Sequence, residues 1–206
     1  MCERGGSKIG VSAVGKKEMK TGILGGTFNP PHIGHFVLAS EVKYRLELDR
    51  VIFMPAHVSP LKGEEETADP GHRFRMLEEA LPGEGYEVSD LEISRGGISY
   101  TIDTVKELQR RRLDEEMYLI IGADQAAAFD SWKAHRELTE RTTVVVAKRK
   151  TFPLPDDSRF RIVEIPQLEV SSSEIRRRVK RGEPVRYLVP ETVRRYMMRH
   201  RLYMHT

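Results

Sequence analysis

Apolar and polar positions alternate between two rhythms along this chain. Short apolar or β-branched runs at 21–25, 50–54, 117–121, 142–147 and 161–165 read as strands. Segments with helical spacing separate or follow them at 33–46, 72–81, 102–112, 125–129, 133–139, 171–181 and 190–200. In the first of these, Ile33, Phe36, Val37, Ser40 and Tyr44 form the expected core face. Residues 86–94 offer one or two further strands. Breaks fall at Gly25-Gly26, Pro55, Pro82-Gly83, Gly122 and Gly182. Strands alternating with helices imply an α/β fold, Rossmann-like, with a mostly parallel sheet covered by helices on both faces. A small helical part closes the chain. Ligands of such sheets bind at the carboxyl ends of the strands, where the strand order reverses.

Residues 1–20 show no periodicity and read as a disordered extension, leaving 21–206 as a single domain. Met19 stands just before the first strand, so removing residues 1–18 is expected to spare folding and activity. The polar segment 56–70, with Pro60 and glutamates at 64–66, reads as a long mobile loop.

Composition narrows the class. Apolar residues make up 39% of the chain, enough for a core. Cys2 is the single cysteine and cannot form an internal disulfide. No apolar run reaches the roughly 18–20 residues of a membrane span, and the first twenty residues lack the apolar segment of a secretory signal. A cytoplasmic protein with no membrane partner is expected. Net charge is only +3, but residues 171–206 hold ten Lys/Arg against three Asp/Glu. Such a tail suits nucleic acid, a membrane surface or a phosphorylated small molecule, although a solvated helical face is the simpler reading. Its tyrosines, Tyr187, Tyr196 and Tyr203, lie among apolar packing positions rather than forming a stacking platform, so no nucleic-acid partner is expected.

The segment Gly25-Gly26-Thr27-Phe28-Asn29-Pro30-Pro31-His32-Ile33-Gly34-His35 links the first strand to the first long helix. Its glycines permit close approach of the backbone to a ligand. A helix N-terminus offers free N–H groups and partial positive charge, which suits phosphate. His32 and His35, three apart, share one helical face, and each can donate to a phosphate oxygen. The spacing fits neither a dinucleotide fingerprint nor a P-loop. A purely structural turn, or a metal site built on the two histidines, would read similarly. No third metal ligand stands at telling spacing, so no metal site is expected.

This segment resembles the signature of the nucleotidylyltransferase superfamily, and its long form resembles nicotinate-nucleotide adenylyltransferases in particular. Phosphopantetheine adenylyltransferases usually carry Asp at the Asn29 position and Thr at the His32 position. Four further segments resemble the same family in order. They are the proline-and-lysine loop from Pro55 to Lys62, the run from Ser99 to Thr104, Gly122-Ala123-Asp124 with Trp132, and the run from Ser171 to Arg176. The resemblance spans about 21–203. One turn departs from it: Lys148-Arg149-Lys150 stands where relatives often show Arg-Pro-Gly.

The resemblance implies transfer of the adenylyl group of ATP to nicotinate mononucleotide, with Mg2+ carried on the ATP phosphates. It implies that His32, His35, Lys62 and Arg176 act on the phosphates. Gly25, Gly26, Thr27 and Phe28, with Gly122, Asp124, Ser172 and Ser173, would hold ATP. Tyr100, Thr101, Trp132 and Arg149 would hold the pyridine nucleotide. Several of these residues also have plainer roles. Ser172, Ser173 and Thr101 are placed to cap helices, as is Asp124 before the helix expected from Gln125. A lone tryptophan is usually core. The sequence leaves the oligomeric state open, a homo-oligomer included.

Overall fold

The computed structural model describes residues 18–60, 67–81, 83–148 and 157–204. Its elements run β1 (Met19–Gly26), α1 (Ile33–Arg45), β2 (Arg50–Pro55), α2 (Pro70–Ala80), β3 (Tyr86–Val88), α3 (Leu91–Arg95) and α4 (Thr101–Arg111). They continue with β4 (Glu115–Gly122), α5 (Ala123–Ala127), a 3-10 turn (Phe129–Ser131), α6 (His135–Arg141), β5 (Thr143–Lys148), β6 (Phe160–Glu164), α7 (Ser172–Lys180) and α8 (Glu191–Arg199). The strands form one sheet in the order β3-β2-β1-β4-β5-β6, with every neighbouring pair parallel. The order reverses between β1 and β4, so their carboxyl ends flank the crevice where this architecture binds ligands.

Alternation along the strands feeds two cores. Ile23, Ile52, Leu119, Ile121 and Val144 point to one face and pack on Ile102 and Val105 of α4, Ala126 of α5 and Leu138 of α6. Leu24, Val51, Phe53, Ile120 and Val145 point to the other and pack on Ala39 and Val42 of α1 and Leu77 of α2. Gly22 lets β1 sit tightly, since a Cβ there would meet Ile120 and Leu48 at 2.9 Å. A third cluster joins Met76 of α2 to Ile175, Val185, Val193 and Met197 of the C-terminal part. The α/β Rossmann-like class and the small helical C-terminal part are therefore as expected. No helix among the described residues is long and apolar enough to cross a membrane.

Several local expectations change. Ser40 and Tyr44 are exposed, Tyr44 at 83%, while Ala39, Val42 and Leu46 are buried, so α1 is turned away from the face its larger side chains suggested. Small residues let α1 lie close to the sheet, which an apolar count undervalues. Residues 86–94 hold one strand and then the short helix α3, because Ser89 and Asp90 stop β3 and Asp90 stands at the N-cap position. β1 begins at Met19, two residues before the strand expected at 21, and Met19 and Lys20 pair with Glu115 and Glu116 of β4. The rest of the N-terminal extension, residues 1–17, lies outside the described residues. Part of the basic tail is paired within its own helices: Arg177 and Arg178 both bond Glu174, and Arg194 bonds Glu191.

Candidate active site

The turn after β1 is shaped by packing that its backbone alone would not choose. Phe28 has φ +50°, a left-handed conformation unusual for a bulky residue. Such strain costs of the order of 1–3 kcal/mol. Burial of the Phe28 ring, only 2% exposed, offsets it by about 1.5–3 kcal/mol. The ring lies edge-on to His35 at 4.9 Å and 5.8 Å from Phe53. Phe28 thus spends its side chain on the core, and only its backbone faces the turn. Gly26 must be small because a Cβ there would meet the Phe28 ring at 3.0 Å. A Cβ on Gly25 would meet nothing within 4 Å, so this side of the turn opens onto free space.

His32 occupies the N-cap position of α1, with the His35 ring stacked on it at 3.7 Å. The His32 backbone N–H donates to His35 Nδ1 at 3.1 Å. An Nδ1 that accepts carries no proton, so the His35 proton sits on Nε2, which makes that nitrogen the ring's donor. The two histidines therefore form one unit: His32 fixes the ring of His35, and His35 presents an N–H.

The N-terminus of α7 is fastened to the same turn. Ser172 Oγ donates to the carbonyl of Pro30 at 2.9 Å, and Arg176 Nη1 donates to the carbonyl of Asn29 at 2.9 Å. Arg176 Nη2 leans on Ser173 Oγ at 3.5 Å. The capping expected of Ser172 and Ser173 belongs instead to Ser171, whose Oγ accepts from the Glu174 N–H, because Ser171 is the last extended residue before the helix.

β4 ends beside β1, and Gly122 stands at the N-cap of α5, its N–H bonded to Gln125 Oε1. Asp124 is not the cap; it lies inside α5, exposed, with Oδ1 2.6 Å from where a Gly122 Cβ would be. Thr101 likewise is no cap: it is the first residue of α4, with Tyr100 at the N-cap position. Tyr100 and Trp132 pack against the same core cluster. Lys133 joins their segments, its Nζ 4.3 Å from the Tyr100 ring centroid and 3.0 Å from Asp103 Oδ2. Trp132 is half-buried against Phe129 at 5.5 Å.

The residues expected at the site thus fall into two groups at one end of the sheet. Gly25, Gly26, Thr27, His32, His35, Ser172, Ser173 and Arg176 gather around the β1 turn. Gly122 and Asp124 lie at the end of β4, with Tyr100, Thr101 and Trp132 on the α4 side. Lys62 and Arg149 lie outside the described residues.

Other residues tie these loops together and were not selected from sequence. His57 N–H donates to Ser99 Oγ at 2.9 Å, His57 Nδ1 lies 3.1 Å from the Gly97 carbonyl, and Ser99 N–H returns to the Val58 carbonyl at 2.9 Å. The loop after β2 is thereby zipped to the segment before α4. Arg73 of α2, fully buried, bonds the segment between β2 and α2 at His57 and Ala68, and the β1 turn at Thr27. A sequence signal for Arg73 exists: it begins the stripe Arg73, Met76, Leu77, Ala80, otherwise apolar and at helical spacing. Tyr203 offers no comparable signal.

Comparison with known proteins gives concordant results. Residues 23–178 match the family described as Cytidylyltransferase-like. The chain is 42% identical over 185 residues to the "Probable nicotinate-nucleotide adenylyltransferase" of Geobacillus thermodenitrificans, covering 89% of this chain and 86% of the relative. The protein of the same name from Bacillus licheniformis is 40% identical over 185 residues, covering 89% of this chain and 98% of the relative. Among solved structures, nicotinic acid mononucleotide adenylyltransferase of Plasmodium falciparum complexed with NaAD superposes with a TM-score of 0.76. That superposition covers 90% of this chain and 97% of the other at 17% identity, and supports the fold. With relatives this similar over nearly their whole length, the chain belongs to the nicotinate-nucleotide adenylyltransferase family.

Proposed function

We propose that the crevice between β1 and β4 joins the adenylyl group of ATP to nicotinate mononucleotide, releasing pyrophosphate and giving the deamido dinucleotide of NAD synthesis. One observation carries the reading: the β1 turn and the Gly122–Asp124 segment flank the reversal point of the sheet, with His35 held as a donor on one side. The family membership supplies the acceptor.

The chemistry asks little covalent work of the protein. A phosphate oxygen of the mononucleotide attacks the α-phosphorus of ATP. A new P–O bond forms, the bond to the bridging α–β oxygen breaks, and that oxygen leaves with the electron pair as pyrophosphate. The nucleophile is already an anion near neutral pH, so no general base is needed. Rate then comes from alignment and from donors aimed at the developing charge. His35 Nε2–H, the backbone at Gly25–Thr27 and the α7 N-terminus with Ser173 and Arg176 are the donors offered to the phosphates. Asp124, exposed beside Gly122, accepts from ribose hydroxyls. Trp132 and Tyr100 take the pyridine ring, with Thr101 and the first N–H groups of α4 facing its carboxylate.

Mg2+ carried in on the ATP phosphates would supply part of the charge neutralisation there. The donors around the β1 turn are imidazole, guanidinium, hydroxyl and amide groups, which fits a cation brought in on the triphosphate better than a carboxylate cage.

The test is pyrophosphate release from ATP and Mg2+ with nicotinate mononucleotide, nicotinamide mononucleotide or phosphopantetheine as acceptor, with His35→Ala alongside. Rapid release with nicotinate mononucleotide, lost in the variant, is expected. Release with phosphopantetheine alone would reassign the acceptor, and release with none would reject the reading.

A further inference from the structure

Arg73 is 0% exposed, yet its three side-chain hydrogen bonds go to main-chain carbonyls of segments bordering the crevice. Nη1 donates to Thr27 at 2.8 Å, Nη2 to His57 at 3.1 Å and Nε to Ala68 at 2.9 Å. Thr27 belongs to the β1 turn, and His57 and Ala68 stand on the two limbs of the segment joining β2 to α2. A second contact set meets it. Asn29, 3% exposed, accepts at Oδ1 from Ala68 N–H at 3.0 Å and from Tyr203 O–H at 2.7 Å. Its own carbonyl accepts from Arg176. The same turn contains Phe28 at φ +50°, a conformation that persists only where surroundings fix it.

We propose that Arg73 and Tyr203 form a buried polar brace that holds the β1 turn in its ATP-binding shape, Arg73 acting as a positioning residue that touches no substrate. The planar guanidinium has a geometry suited to the task, because one rigid group reaches three carbonyls in different directions. A lysine ammonium at the end of a flexible stem cannot hold all three at once. Tyr203 closes the brace from the C-terminal end. Its contact makes the last helical part of the chain a component of the ATP site and not merely a cover for α2. Burial pushes the Tyr203 phenol above its ordinary value, with Arg176 and Arg73 opposing, so it stays a donor across the working range. Burial also draws the Arg73 guanidinium below its ordinary value, with Tyr203 and Asp69 opposing, and arginine remains charged even so.

The inference rests on the adenylyl-transfer reading for its ligand, and its test separates the two. Full-length wild type, Arg73→Lys and Tyr203→Phe are compared by calorimetric binding of ATP with Mg2+ and by steady-state kinetics with both substrates varied. For Arg73→Lys, kcat/KM for ATP falls about 10²-fold, as for a misplacement near 1 Å, while KM for nicotinate mononucleotide stays within about twofold. Tyr203→Phe removes one oxygen and leaves Asn29 Oδ1 its bond from Ala68, so about a threefold to tenfold loss confined to ATP is expected. Both variants binding and using ATP as wild type does, with only their melting temperatures lowered, would overturn the brace. Should Arg73→Lys fail to fold, Tyr203→Phe decides alone, and unchanged ATP parameters there would overturn it. A wild type that binds ATP without adenylylating the mononucleotide would instead reject the function, and the ATP affinities would still judge the brace.

Discussion

The two ends of the sheet treat arginine in opposite ways. At the amino end, Arg50 lies between carboxylates: it bonds Glu115 of β4 and, at 2.7 Å, Glu87 of β3, while its Nε reaches Thr21 of β1 at 3.0 Å. Arg112 adds a bond to Glu87 at 2.9 Å. At the carboxyl end, the buried Arg73 has carbonyl partners in place of carboxylates. Charge matched within the protein staples four strands together. The buried guanidinium at the other end is committed to main-chain carbonyls and shapes the turn that faces the ligand. One end of the sheet is built for stability and the other for binding.

Substitutions that separate these roles sharpen the contrast. The largest effect is expected from His35→Ala, which removes the Nε2–H donor and lowers turnover by ~10²–10³-fold. Its melting temperature should fall modestly, because the variant also loses the acceptor for the His32 N–H and the edge contact with Phe28. Arg50→Met does the reverse. It takes one partner from Glu87, which keeps Arg112, and one from Glu115, which keeps the Thr21 hydroxyl, at a site where the Arg50 side chain is 17% exposed. The loss of stability is about 2–3 kcal/mol, under the roughly 3–5 kcal/mol of a fully buried pair because Glu87 keeps some hydration. Urea unfolding measures it, and turnover per folded molecule is expected to be unchanged.

Trp132→Ala should raise KM for the mononucleotide about tenfold while sparing KM for ATP, in line with ~1–3 kcal/mol for one aromatic–base stack. Equal increases in both constants would break the division of the crevice into an ATP half and a pyridine half. The smallest effect concerns pH. Burial alone would raise the Glu87 carboxyl, but hydrogen bonds from Arg50 and Arg112 outweigh it and hold the group below its ordinary value. A depressed carboxyl contributes stability that is present above the unfolded value, about 4.5, and is lost as pH falls through the folded value. Glu87→Gln should therefore flatten the loss of stability below about pH 4.5, read by thermal melts across pH.

Much of this was legible in the sequence, for physical reasons that differ by region. The strands are apolar runs stopped by glycine or proline, and that pattern reports directly on a doubly covered sheet. The β1 turn was legible because Gly25, Gly26 and the histidine pair have few other uses at that spacing. The buried face of α1 departs from the pattern of large apolar residues because Ala39 packs by being small. The caps shifted by one residue, from Ser172 to Ser171 and from Thr101 to Tyr100, because several adjacent residues could each begin the helix and only tertiary contact selects one. Ser172 was drawn away by the Pro30 carbonyl. The partnership of Arg73, Asn29 and Tyr203 was out of reach of sequence alone: Tyr203 lies 174 residues from Asn29, and nothing local marks it.

The central claim is adenylyl transfer at the carboxyl end of the sheet, and following labelled phosphorus tests it most directly. ATP labelled at the α-phosphorus or at the γ-phosphorus is incubated with Mg2+, nicotinate mononucleotide and the protein, and the products are separated. The account predicts α-label in the dinucleotide and γ-label in pyrophosphate, with both transfers slowed ~10²–10³-fold by His35→Ala. Label from the γ-position on the mononucleotide, or α-label that never leaves the adenosine phosphates, would contradict it.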